Sequence, residues 1–122
     1  MLHGFYTDEW PRSRVATLAR LVDDAAAAEA DGVALGILHG AAQQLAMLAG
    51  AVREELWGPG SAVEVSYIGG VFQSRIVLED FRRLVTLQAG VRCGPPRRGP
   101  AEGALREAYR AGGVELPEDA RA

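Results

Sequence analysis

The sequence contains no lysine; all 13 of its basic residues are arginine, a bias of coding composition more than a functional signal. Acidic residues outnumber them, and the net charge is −3. That removes the electrostatic footprint of a nucleic-acid binder or of a protein held on an anionic membrane. Cysteine is nearly absent as well. Cys93 stands alone, so no internal disulfide is possible. With only His3 and His39 to join it, a structural zinc site is excluded too. No apolar h-region follows a basic start, and Asp8 and Glu9 lie early. The expected compartment is therefore a reducing cytoplasm. Catalytic signatures are equally sparse. Ser61, Ser66 and Ser74 lack nucleophile-elbow surroundings. Glu54-Glu55 and Glu79-Asp80 are adjacent pairs whose side chains point apart on a helix, so neither can supply a joint acid and base.

What is present is enough for one domain: 122 residues, 48% of them apolar. Between Gly32 and Val52 there is no charged residue, a length that could cross a bilayer. The stretch carries His39, Gln43 and Gln44 and is rich in alanine and glycine, so it reads as a buried helix of a soluble protein.

Along the chain, Leu2 to Trp10 forms an aromatic-containing lead-in, and Pro11 suits a first helical turn. Val15, Leu18, Val22 and Ala25 or Ala26 then recur at helical spacing, with Asp23, Asp24 and Glu29 on the wet side. Asp31 is placed to cap a second helix. Its apolar stripe is expected at Leu38, Ala41, Leu45, Leu48, Val52 and Leu56, or Glu55 by strict heptad count. Gly32, Gly36 and Gly40 share one face at spacing four. Each costs a helix interior about 1 kcal/mol relative to alanine, so another backbone is expected close by. Packing on the first helix is the favoured reading; contact with another domain or subunit is the alternative.

Trp57-Gly58-Pro59-Gly60 ends that helix. The run Val63 to Ile68 predicts a short, largely buried strand that meets Gly69-Gly70. Ser74 can cap a third helix whose apolar face is Val77, Leu78, Phe81, Leu84 and Val85. Val91-Arg92-Cys93 reads as a second short strand, and Gly94 to Pro100 as a loop. A last helix is expected from Ala101 to Arg110, with Ala104, Leu105 and Ala108 inward. Gly112-Gly113 stops it, and the tail 114–122 should fray. A strand–helix–strand crossover implies parallel strands, which are normally covered on both faces. Two strands are too few for an independent sheet. The fold class is thus α/β with an incomplete sheet, to be finished by missing sequence or by another chain.

The strand–Gly–Gly–helix segment Val65-Ser66-Tyr67-Ile68-Gly69-Gly70-Val71-Phe72-Gln73-Ser74 is the clearest pointer to chemistry. Glycines admit a ligand close to the backbone, and a helix start offers unpaired N–H groups. Taken alone, the same pattern also serves tight strand–helix packing. It is followed by Val77-Leu78-Glu79-Asp80-Phe81, by Pro95-Pro96-Arg97-Arg98-Gly99-Pro100 and by Glu102-Gly103-Ala104-Leu105. Together these resemble the end of BadF/BadG-type ATPases, the branch of the actin-like ATPase and sugar kinase superfamily that includes N-acetylglucosamine kinases. The alanine-rich helix Leu38 to Leu56 looks like that family's helix before its adenosine strand; the lead-in with Trp10-Pro11 fits more loosely.

The resemblance implies a partial ribonuclease-H-like (actin-like ATPase) subdomain over 1–113. It implies ATP as the ligand, bound against Gly69, Gly70, Val71 and Phe72, with Arg98 and Gly103 completing the set. Gly103 and Ala104 match small residues of the family's last helix. The family's phosphate loops and catalytic aspartate have no counterpart in this sequence, so Mg2+ would be held mainly by a missing N-terminal lobe. Lone Cys93 gives no support to the family's iron–sulfur branch. The parent reaction would be phosphoryl transfer from ATP to a sugar hydroxyl, and this chain alone should be inactive. Arg92, Arg97 and Arg98 flank the loop facing the supposed cleft. Arginines there can stack on adenine or fork onto phosphate, or can simply be solvated. His39 reads as a packed histidine. A reading of another class stays open: a non-enzymatic module that binds a partner or self-associates as a homo-oligomer.

Overall fold

The computed structural model describes residues 12–117. The lead-in before Arg12, Pro11 and the end of the tail lie outside them. The chain runs helix, helix, strand, 3₁₀ turn, helix, strand, helix. Helix α1 (Arg12–Glu29) turns back on α2 (Gly32–Leu56) through Ala30 and Asp31. Ala30 adopts φ 51°, and the Asp31 N–H reaches back to the Ala25 carbonyl. This is the left-handed helix ending usually given to glycine. Asp31 then caps α2 as expected, its carboxylate accepting the Ala34 N–H at 2.7 Å.

Strands β1 (Val63–Ser66) and β2 (Val91–Gly94) pair in parallel, in register from Val63 with Val91 to Ser66 with Gly94. They form a two-stranded sheet. Helix α3 (Arg75–Thr86) makes the crossover, and α4 (Pro100–Ala111) follows β2. The mixed α/β class and the parallel pairing are as expected. Residues Val63 and Val65 are half-buried, whereas Glu64, Ser66 and Arg92 are exposed on the opposite face. Among the described residues that second face has no cover and the sheet has no third strand.

The core lies between α2 and α3. From α2 it takes Ala34, Leu38, Ala42 and Ala46, from α3 Val77, Phe81 and Val85, with Ala26 of α1 and Val91 of β2. The α3 face is as expected at Val77, Phe81, Leu84 and Val85, whereas Leu78 is half-buried outside the cluster and Ile76 packs against it instead. The stripe on α2 differs: Leu38 and Leu45 face inward, but Leu48, Val52 and Leu56 are exposed. The helix is apolar nearly all round, and its alanine side is the one that lets α1 and α3 approach closely. Gly50 on that side is buried, and a Cβ there would lie 2.8 Å from the Gln88 amide.

The glycine face corrects a second expectation. Among the described residues, a Cβ on Gly32, Gly36 or Gly40 would meet nothing within 4 Å. These glycines do not pack on α1, because α1 contacts the other side of α2. Nor is Gly32–Leu56 a buried helix, since Val33, Ile37, Met47, Leu48 and Val52 are exposed. By length and composition it is the one described helix that could cross a membrane.

Ile68 departs from the buried-strand expectation as well. The strand ends at Ser66, and Ile68 is exposed. On α4, Ala104, Leu105 and Ala108 were expected inward, but all three are exposed and the helix buries no residue. The surface that its apolar side would cover is not among the described residues. The start of the tail is tied down: Val114 N–H bonds the Tyr109 carbonyl, and Arg106 donates to the Pro117 carbonyl.

Candidate functional site

Parallel strands send their following loops out at the same end of a sheet, and in open α/β folds that carboxyl end is where ligands bind. Here Ser66 and Gly94 are the paired last residues. The segments after them, Tyr67–Gly70 and Pro95–Gly99, therefore leave the sheet side by side.

Gly69 has φ 112°, in the region that favours glycine, and a Cβ there would meet no atom within 4 Å. Gly70 opens a 3₁₀ turn, Gly70–Gln73, that separates the glycines from α3. As expected, Ser74 caps α3: its Oγ accepts the Val77 N–H at 3.3 Å. The same hydroxyl donates to Asp23 of α1 at 2.5 Å. Asp23 was expected on the wet side; it is half-buried because it holds this cap. The N–H groups that follow the glycines thus belong to the 3₁₀ turn and not to the helix.

An aromatic ladder fixes the loop. The Tyr67 and Phe72 rings lie 5.5 Å apart, and Phe72 meets Phe81 edge-on at 5.1 Å, spacings that favour aromatic pairs. Phe72 therefore turns inward and anchors the turn, while Gly69, Gly70 and Val71 stay exposed. Arg98 is half-buried and pairs with Glu102 at 3.1 Å. Its neighbour Arg97 reaches Glu64 of β1 at 2.7 Å in an exposed ion pair. Gly103 lies on α4 with open space where a Cβ would be. The topology thus gathers the two loops at one sheet end, with Gly103 one turn into the helix that follows. Arg92 points from the uncovered sheet face.

Cys93 is half-buried on β2, and that burial pushes its thiol pKa up, which leaves it a poor nucleophile near neutral pH. No group of three metal-ligating side chains occurs among the described residues.

Sequence reasoning missed one polar cluster. His39 of α2, expected to be packed, is half-exposed, and its Nδ1 contacts Asp80 Oδ2 on α3. Arg83 donates to the other Asp80 oxygen at 3.2 Å. The two partners are 41 positions apart, beyond any local pattern. The His39 hydrogen bond holds the Asp80 pKa below its ordinary value; partial burial opposes this and Arg83 adds to it. A depressed carboxylate pKa contributes stability that is present above its unfolded value, about 3.9, and is lost as pH falls through the folded value. Asp80→Asn is accordingly expected to lower the urea midpoint at neutral pH and to flatten the loss of stability below roughly pH 4. Urea titrations of both proteins at neutral and acid pH check this; parallel acid limbs would refute it.

Comparison with protein-family models, curated proteins and solved structures finds no match to this chain.

Proposed function

We propose that this chain is the adenosine side of a split ATP site, the C-terminal part of a sugar-kinase-like ATPase of actin-like, ribonuclease-H-like fold. The observation that carries the reading is Gly69: φ 112° and open space, at the carboxyl end of a parallel strand. There the backbone of Gly69–Val71 is free to lie against a planar base. The Tyr67–Phe72–Phe81 ladder holds that backbone still before a ligand arrives, which lowers the ordering cost of binding. Arg98, in the loop after β2, and Gly103, one turn into α4, would complete the set.

The uncovered sheet face and the unburied α4 support a second lobe. That lobe would bring the phosphate-binding groups and most of the Mg2+ ligands. The division suits phosphoryl transfer, in which positioning and charge stabilisation carry the catalysis. The chain alone positions adenosine and transfers nothing, and a cytoplasmic setting, with its ATP, fits the composition.

Titrating isotope-labelled chain with ATP and with adenosine tests this by NMR. Both ligands should give saturable shifts at Gly69, Gly70, Val71 and Gly103, with millimolar affinity. Gly70→Val should abolish them and leave the remaining spectrum intact, because Gly70 has no positive φ and a Cβ there meets nothing. Shifts that survive in Gly70→Val, or none with either ligand, would overturn the nucleotide reading. So would sugar phosphorylation by the purified chain alone.

The reading of the chain as a non-enzymatic associating module is favoured by a different observation, the bare apolar side of α2.

A further inference from the structure

One face of α2 is turned away from the core and carries Val33, Ile37, Gly40, Gln44, Leu48, Ala51 and Glu55. Every one of these but Gly40 is exposed, Val33 at 75%, Ile37 at 54% and Leu48 at 64%. Among the described residues, a Cβ on Gly40 would meet no atom within 4 Å. We propose that this face is a homodimer interface, with α2 of a second copy packed antiparallel across a two-fold axis at Gln44. The proposal is independent of the nucleotide reading.

The argument for a second copy is self-complementarity. Positions 40 and 48, 37 and 51, and 33 and 55 are each equidistant from 44. A two-fold axis there sets each against its mate on the other copy, as an isologous interface requires. The pairs then match large to small. Leu48 enters the gap above Gly40, and Ile37 lies over Ala51. Gly40 lets the helices approach closely at the two places where leucine has to fit. The one polar residue near the centre, Gln44, meets its own copy. A primary amide carries both donors and an acceptor, so two such groups can bond reciprocally. At the rim, the methylenes of Glu55 cover Val33 while the carboxylate stays in water.

Area and charge agree with this partner. The helix has 25 residues, so at 1.5 Å rise the face is about 37 Å long. Two copies laid along it bury about 1,200 Å2 in total, the lower end for specific protein interfaces. No charged residue falls between Gly32 and Val52, so the centre of the contact desolvates no ion.

Sedimentation velocity from low to high micromolar chain tests the assembly. The expected species is a dimer. Leu48→Glu should convert it to monomer with an unchanged circular dichroism spectrum, since the residue touches no core. Gly40→Leu should do the same by filling the gap, although leucine improves helix propensity and the monomer has room for it. In a Cys93→Ser background, Gln44→Cys should oxidise to a covalent dimer and the α3 surface variant Thr86→Cys should not. A monomer at every concentration overturns the proposal. So does a dimer that survives both Leu48→Glu and Gly40→Leu, or one in which Gln44→Cys fails to cross-link. Binding of monomeric chain to zwitterionic lipid vesicles, lost in Leu48→Glu, would overturn it in favour of a membrane.

Discussion

Phe81→Ala is expected to destabilise the protein by about 3–5 kcal/mol, the range for truncating a buried phenylalanine. Phe81 is 4% exposed and sits where α3 faces the alanine side of α2. Small residues across the interface cannot collapse into the space that the ring leaves, so the cavity persists and the cost stays high. That is a large fraction of the 5–15 kcal/mol by which ordinary domains are stable, and a chain with so small a core has little in reserve. The ring also ends the ladder that begins at Tyr67. Its loss removes the edge-on partner of Phe72, so the glycine turn should loosen before the whole protein unfolds. Urea denaturation measures the first effect. Amide hydrogen exchange at Gly70, Val71 and Phe72 measures the second, with faster exchange there than in α3. Phe81→Leu separates the two: it refills most of the volume but restores no ring contact. It should regain most of the stability while exchange in the turn remains fast. If Phe81→Leu restored slow exchange too, the ladder would not be what holds the turn.

Helix α3 shows why some of this fold was legible in the sequence. Its charged residues alternate with Val77, Phe81 and Val85 at one spacing, and Ser74 marks its start, so only one face could be buried. The parallel strands followed from the crossover alone. Helix α2 offered no such choice, because alanine, leucine and glycine occupy all its sides. Following the largest residues led to Leu48, Val52 and Leu56, whereas close approach of neighbouring helices selected Ala34, Ala42, Ala46 and Gly50. Helix α4 failed for another reason. Its apolar spacing is real, but the described residues present no surface for Ala104, Leu105 and Ala108 to cover.

The candidate site was legible in part for a similar reason. Gly69-Gly70 announces a turn at the end of a strand. The inward course of Phe72 depends on the 3₁₀ turn, which no residue pattern signalled. The bridges from Asp23 to Ser74 and from His39 to Asp80 join residues far apart in sequence, and both exist only once the helices have packed.

Gly90→Ala should be nearly as damaging as loss of Phe81, by a different route. Gly90 has φ 82°, and a Cβ there would lie 2.6 Å from the Ser61 carbonyl oxygen and 2.9 Å from that of Gly60. Both obstacles are backbone, so no rotamer change relieves them. Gly90 also accepts the Val63 N–H at 3.0 Å, the bond that starts the pairing of β1 with β2. Moving the two segments apart to admit a methyl group would break that bond at the first rung of the β1–β2 pair. Positive φ alone costs a non-glycine residue about 1–3 kcal/mol, and the overlap adds to it, so about 3 kcal/mol or more is expected. Asparagine distinguishes the two causes, because it tolerates positive φ yet still carries a Cβ. At Gly113, φ 76° with nothing near a built Cβ, asparagine should cost little. At Gly90 it should cost nearly as much as alanine. Thermal melts followed by circular dichroism give both values. If Gly90→Asn melted like the parent protein, the close approach of the 60–61 backbone would have no energetic consequence, and φ alone would explain the glycine.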